Sequence, residues 1–254
     1  MADTQIAAQL YTVREFAQTP KDLAETLKKI KAIGYDVVQV SGVCPIDYSD
    51  LKKMLDDAGI RVCATHIPFQ KMVDSPEKVI EEHNLIECKY PAIGGLPSEY
   101  RNAAGYAKFA KEATEVGKKL ATGGLYFGYH NHSFELEKYG GRTGLQILYE
   151  ESDPKYVKAE IDTYWIQHGG GDPAWWIEKL AGRIPLVHLK DMSIRDGKQI
   201  MAEVGEGNLN WSRILDACRK AGVEWYIVEQ DTCERDPFES LAISLENLKA
   251  MGIS

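Results

Sequence analysis

LYFGYHNHSFE, residues 125–135, opens as an apolar, aromatic run. It then turns into Tyr129, His130, Asn131 and His132 and reaches a carboxylate at Glu135. Apolar residues that stop abruptly at imidazoles describe a buried strand whose last residues face a site. The rest of the chain repeats that order of strand, polar tip and helix.

Upstream, IAAQL (6–10), DVVQV (36–40), IRVCA (60–64) and YPAI (90–93) read as strands. Downstream, VKAEI (157–161), PLVHL (185–189) and WYIV (225–228) do the same. Helices fill the intervals. Leu23, Leu27, Ile30 and Ile33 recur at helical spacing before Gly34. Residues 49–58 read as a helix capped by Ser49 and stopped by Gly59, and Ser75-Pro76 opens a third. Residues 100–120, 143–151, 174–180, 210–221 and 237–251 supply the rest. Eight such alternations imply parallel strands joined by right-handed crossovers. With 254 residues, a single-domain (β/α)₈ barrel over 1–254 is expected. A doubly wound sheet would carry a glycine-rich phosphate loop after the first strand, and QLYTVREF (9–16) has none.

A net charge of −8 argues against nucleic acid as a partner. Cys44, Cys63, Cys88, Cys218 and Cys233 form no CxxC pair, and an odd count of thiols in apolar surroundings suggests a reduced, cytoplasmic protein. The N-terminal residues lack the pattern of a signal peptide, and no run of about 18 apolar residues predicts a membrane span.

A barrel delivers the C-terminal end of every strand to one face. That face would collect His66, His130, His132, Glu135, Asp162, His188, Lys190, Asp191 and Glu229. Four of the six histidines are in this set, so clustering is the main functional signal. Each member also has a plainer reading. Asp162 could only cap a helix. Glu229, ending an apolar strand, is costly to bury without a cation, and Lys190 is the organic candidate for that partner. Carboxylates with imidazoles otherwise suit a divalent ion: Mn²⁺, Mg²⁺, Fe²⁺, Co²⁺ or Zn²⁺. Such an ion chelates a sugar and polarises its carbonyl, while a neighbouring Glu or His moves a proton through an enediolate. Tyr11, Phe69, Tyr129, Tyr164, Trp165 and Trp211 could stack on a sugar or simply pad the barrel top. VGEGNLNW (204–211) reads as a loop whose glycines let backbone approach a ligand.

ATHIPF (64–69), YHNHSFE (129–135), EIDTYW (160–165), VHLKD (187–191), GEGNLNW (205–211) and VEQD (228–231) together resemble the xylose isomerase-like TIM-barrel superfamily of sugar phosphate isomerases and epimerases. The resemblance covers essentially the whole chain. It implies Mn²⁺ or a similar ion held by a Glu, an Asp, a His and a Glu, of which Asp162, His188 and Glu229 match by motif. Many relatives place the first Glu at the tip of strand five, where this chain reads Tyr129-His130. Glu135, reaching back from the loop, is expected to complete the metal set, with His130 and His132 as alternatives.

The activity implied is isomerisation or epimerisation of a sugar, with Glu229 as acid or base and His132 and His130 as its counterparts. His66, Lys190, Tyr11, Trp165 and Glu206 are the expected substrate contacts. The missing glutamate weakens a symmetric two-base epimerase. YHNH is similar to the histidine-rich strand of inosose dehydratases, which keeps a metal-dependent lyase or dehydratase as the alternative. A barrel that binds carbohydrate without turnover is a third reading. No basic phosphate cradle is visible, so a non-phosphorylated sugar is favoured, and the aromatic loops suggest a homodimer.

Overall fold

The computed structural model describes residues 5–253. The first four residues, part of the N-terminal stretch read above, and Ser254 lie outside the described residues. Eight parallel strands close a barrel in chain order: β1 (Ile6–Gln9), β2 (Val37–Val40), β3 (Arg61–His66), β4 (Tyr90–Ile93), β5 (Phe127–His130), β6 (Val157–Asp162), β7 (Leu186–Leu189) and β8 (Trp225–Val228). Closure is made by β1 on β8, with Ile6 opposite Tyr226. These runs are long enough for a strand and too short for a helix, and both faces are covered, so they are mostly apolar below the tip.

The helices begin and end where local chemistry dictates. Thr19 accepts from the Asp22 N–H at the start of α1 (Pro20–Ile33). Thr143 and Gln146 form a reciprocal capping box on the helix Gly144–Glu151. One expected cap is corrected: the second helix starts at Tyr48, with Asp47 before it, so Ser49 lies inside its first turn. The structure also adds two antiparallel hairpins, Lys138–Tyr139 with Arg142–Thr143 and Asp191–Arg195 with Lys198–Ala202. Short helices at Phe69–Asp74 and Thr163–His168 complete the loops on the strand-tip side. Among the described residues no helix is long and apolar enough to cross a membrane.

The barrel interior is layered by the two-residue repeat of a strand. Ala7, Val37, Cys63, Leu186 and Ile227 form an apolar floor with Tyr90. Two residues further along the same strands come Gln9, Gln39 and His188, joined by Glu160 of β6. Another step reaches Asp162 and Lys190, and Glu229, two residues past Ile227, stands beside them; all three are buried. Side chains of opposite parity pack outward on the helices. Tyr129 is one of these, with its ring against Phe109 and Tyr149 rather than in the mouth.

Candidate metal centre and active site

At the top layer His130, Asp162, His188 and Glu229 bring one donor atom each within 4.8 Å of one another, and all four side chains are buried. His188 Nδ1 lies 2.9 Å from Glu229 Oε2 and 3.9 Å from Asp162 Oδ2, and His130 Nε2 lies 3.2 Å from Asp162 Oδ2. Donors held at about 2.0–2.2 Å from one ion are separated by roughly 3.0–3.6 Å when adjacent, so these spacings and the mixed N/O donor set fit a divalent metal. Glu135 is not in the group. Its carboxylate accepts from the Tyr129 hydroxyl at 2.8 Å and from the His132 backbone N–H at 2.9 Å. His130 occupies the place expected of it, and burial pushes Glu135 up to about 7.

Lys190 lies in the same cluster and is fully buried. Its ammonium is 3.0 Å from Asp162 Oδ2, 2.8 Å from Glu229 Oε2 and 2.7 Å from Asp231 Oδ2. Three N–H donors meet three carboxylates, which commits Lys190 to the protein's own acids rather than to a ligand. Burial opposes the charges, yet Lys190 holds Asp162 and Glu229 below the usual carboxylate range. Burial also opposes a charge on His188, but Glu160 and Glu229 outweigh it and lift His188 to about 10.

An imidazole must shed its proton to ligate a metal. At neutral pH, ion uptake is therefore expected to release about one proton from His188, and affinity to rise up to about tenfold per pH unit until pH approaches 10. Calorimetric titration of Mn²⁺ in buffers of different ionisation enthalpy checks this. A pH-independent affinity from 6 to 9 would remove His188 from the ligand set.

Two further histidines border the donors. His66 Nε2 is 2.6 Å from Glu160 Oε2, and His132 packs 5.1 Å from the His130 ring and 5.2 Å from Trp165. Burial holds His132 down to about 3, so it stands neutral. Three buried nitrogens here, His130 Nδ1, His132 Nδ1 and Trp165 Nε1, have no hydrogen-bond partner among the described residues. Buried polar atoms gathered in one place call for a hydrogen-bond partner that the protein itself does not supply. Beside them a cavity of about 610 Å³ is lined by His66, His132, Phe69, Leu96, Tyr100 and Arg101, among others.

Other expected contacts stand elsewhere. Tyr11 is stacked beneath the Arg14 guanidinium at 4.2 Å. Glu206 is exposed and accepts from Asn247. The glycines around Glu206 approach Asp191 rather than a ligand. Asp191 Oδ2 accepts from the N–H groups of Gly205 at 2.9 Å and Gly207 at 3.1 Å and from the Trp211 indole, while Oδ1 takes Leu209 N–H. A Cβ on Gly207 would lie 2.3 Å from Asp191 Oδ1. Gly207→Ala is expected to lower stability by about 1–3 kcal/mol through this overpacking, as read by thermal denaturation.

Sequence reasoning passed over Glu160, Gln39 and Asp231. Glu160 shares the inward face with Asp162, two residues on, so the period-two rule applied below the tip would have exposed it.

A family model described as xylose isomerase-like TIM barrel matches residues 27–251. The chain belongs to the xylose isomerase-like TIM barrel family. Among the relatives of this xylose isomerase-like chain, the inosose dehydratase of Mesomycoplasma hyopneumoniae is 28% identical over 266 aligned positions, covering 91% of this chain and 81% of that one. The inosose dehydratase of Geobacillus thermodenitrificans is 30% identical over 148 residues, 49% of this chain and only 47% of that relative's length. A crystal structure of a sugar phosphate isomerase/epimerase from Parabacteroides distasonis shares the xylose isomerase-like barrel with a TM-score of 0.81, at 25% identity, over 98% of this chain and 95% of that one.

Proposed function

We propose that this chain is a divalent-metal enzyme that removes the proton α to the carbonyl of an uncharged keto-sugar or keto-cyclitol. The observation that carries the reading is the convergence of two imidazoles and two carboxylates from β5, β6, β7 and β8 beside three unpartnered nitrogens. His130, Asp162, His188 and Glu229 would hold the ion, with Mn²⁺ the first candidate for this mixed oxygen and nitrogen set. When bound, such an ion polarises the substrate carbonyl and offsets the charge that develops on its oxygen.

The protein's own groups do the rest. Glu229, kept ionised by Lys190 and His188, takes the α-proton. The unpartnered nitrogens of His130, His132 and Trp165 bond substrate oxygens, and His66 meets the substrate from the β3 side. Lys190 and Arg101 are already engaged, Lys190 by three carboxylates and Arg101 by the Leu96 carbonyl and the Phe134 ring. Neither offers itself to a phosphate, so we favour a non-phosphorylated substrate. The buried free thiols of Cys44, Cys63, Cys88 and Cys218 support placing the enzyme in the cytoplasm.

Of the products open to the enediolate, dehydration fits best. Epimerisation must return the proton to the opposite face of the carbon and so needs an acid on each side. Loss of a β-hydroxyl returns it to the departing oxygen, for which the single carboxylate Glu229 suffices. The tip of β5 supplies His130 where a second acid would stand. The inosose dehydratases among the relatives support the same choice. Aldose–ketose isomerisation or epimerisation is the second reading, supported by the likeness to the Parabacteroides structure.

The test is incubation of Mn²⁺-loaded protein with inososes and a panel of keto-sugars in D₂O. Loss of water identifies a dehydratase, and deuterium at the α-carbon with the formula retained identifies an isomerase or epimerase. Binding with neither outcome would leave a carbohydrate-binding barrel and overturn the catalytic reading.

A further inference from the structure

Glu160 is fully buried one layer beneath the donors, and a hydrogen-bond chain runs through it whose polarity can be worked out from one end. The Tyr11 backbone N–H can only donate, and it donates to Gln9 Oε1 at 3.2 Å. The Gln9 amide nitrogen therefore faces Gln39 Oε1, at 2.8 Å. That leaves the Gln39 amide nitrogen to donate to Glu160 Oε1, at 2.7 Å. Gln39 Oε1 also meets His188 Nε2 at 2.6 Å, with Glu160 Oε1 3.3 Å from the same nitrogen; both oxygens accept, so His188 carries a proton on Nε2. Its Nδ1 is thereby the nitrogen turned up to the donor cluster.

The other carboxylate oxygen, Glu160 Oε2, stands 2.6 Å from His66 Nε2. A carboxylate there accepts, so neutral His66 carries its proton on Nε2 and has a bare Nδ1. That Nδ1 lies where a Cβ on Gly94 would come within 2.9 Å, so glycine is what lets the ring sit at the cavity wall.

We propose that Glu160 is a positioning residue that places the proton of His66 on Nε2, so that His66 meets the substrate as a hydrogen-bond acceptor, while Gln39 sets His188 in the matching way for the donor cluster. The substrate half of this statement rests on reading the mouth as an active site; the placement of the protons does not. The arrangement is the carboxylate–histidine and amide–histidine support that orients ligands at metal and catalytic sites.

Glu160→Gln separates the two arms. Gln39, still held by Gln9, keeps its nitrogen toward position 160. The new amide must then turn its oxygen to Gln39 and its nitrogen to His66, which demands a bare Nε2. His66 is expected to move from the Nε2–H to the Nδ1–H form, read in long-range ¹H–¹⁵N spectra of the metal-free protein. Glu160→Asp, still a carboxylate, is expected to keep the Nε2–H form. With a substrate found by the panel above, Glu160→Gln should raise KM about tenfold, a loss of 1.4 kcal/mol of binding, and change kcat less. Gln39→Leu is expected to weaken Mn²⁺ binding by about 10–100-fold.

His66 remaining Nε2–H in Glu160→Gln, or switching in Glu160→Asp as well, overturns the proposal, as does an unchanged Mn²⁺ affinity in Gln39→Leu. Wild-type protein that takes up no ion defeats the metal reading separately, and the His66 spectra then still decide the role of Glu160.

Discussion

Lys190→Met is expected to cost the metal-free protein about 3–5 kcal/mol of stability, the range for removing one partner from a buried ionic group. The ammonium is fully buried against Asp162, Glu229 and Asp231. Methionine fills much of the volume but leaves these acids facing one another. The pH dependence weakens with it. In the native chain Asp162 and Glu229 titrate below their usual range, so their contribution is present at neutral pH and is lost as pH falls through their folded values. Without Lys190, His188 and His130 still oppose burial, so both acids are expected to rise from their native values and to keep less of that depression. Stability of the variant is then expected to gain less between acid and neutral pH than that of the parent. Urea denaturation across pH reads both effects. A divalent ion should substitute for the lost charge, and at 100 times its dissociation constant it returns about 2.7 kcal/mol. A variant as stable as the parent, with an unchanged pH profile, would show that the cluster does not depend on this cation.

Glu229→Gln carries the largest expected loss of activity, about 10²–10⁴-fold in kcat, the scale on which a positioned general base contributes. Glutamine keeps an oxygen for Lys190 and His188, so circular dichroism should be preserved while turnover and α-deuteration disappear together. Mn²⁺ affinity should fall as well, because one charged donor is gone. Activity within tenfold of the parent would clear Glu229 of proton transfer and point to another group at the mouth.

The barrel was legible because each strand announces itself twice, by a short apolar run and by the polar residue that ends it. YPAI was the weakest of these, yet Tyr90–Ile93 pairs on both sides. The hairpin Asp191–Arg195 with Lys198–Ala202 was missed although Asp196-Gly197, both at positive φ, is a strong turn signal. The two-residue strands around Gly140-Gly141 carried almost no signal. In the site, convergence of strand ends brought Asp162, His188 and Glu229 together from sequence positions far apart. Spacing could not decide between His130 and Glu135, because that depends on which way the 131–135 turn aims a side chain. Here the Tyr129 hydroxyl, on the outward face, draws Glu135 away from the mouth. Asp231 escaped notice for a related reason: it lies past the end of β8, and its carboxylate joins the cluster through its contact with Lys190.

With the 204–211 segment pinned by four N–H groups to Asp191, the β7–β8 side of the opening is a fixed roof. On the proposed reading a substrate would approach Glu229 from the cavity side, past His66 and His132, and its product would leave by the same opening. Widening that opening near Leu96 or Tyr100 should change which substrates are admitted without touching the groups that move the proton.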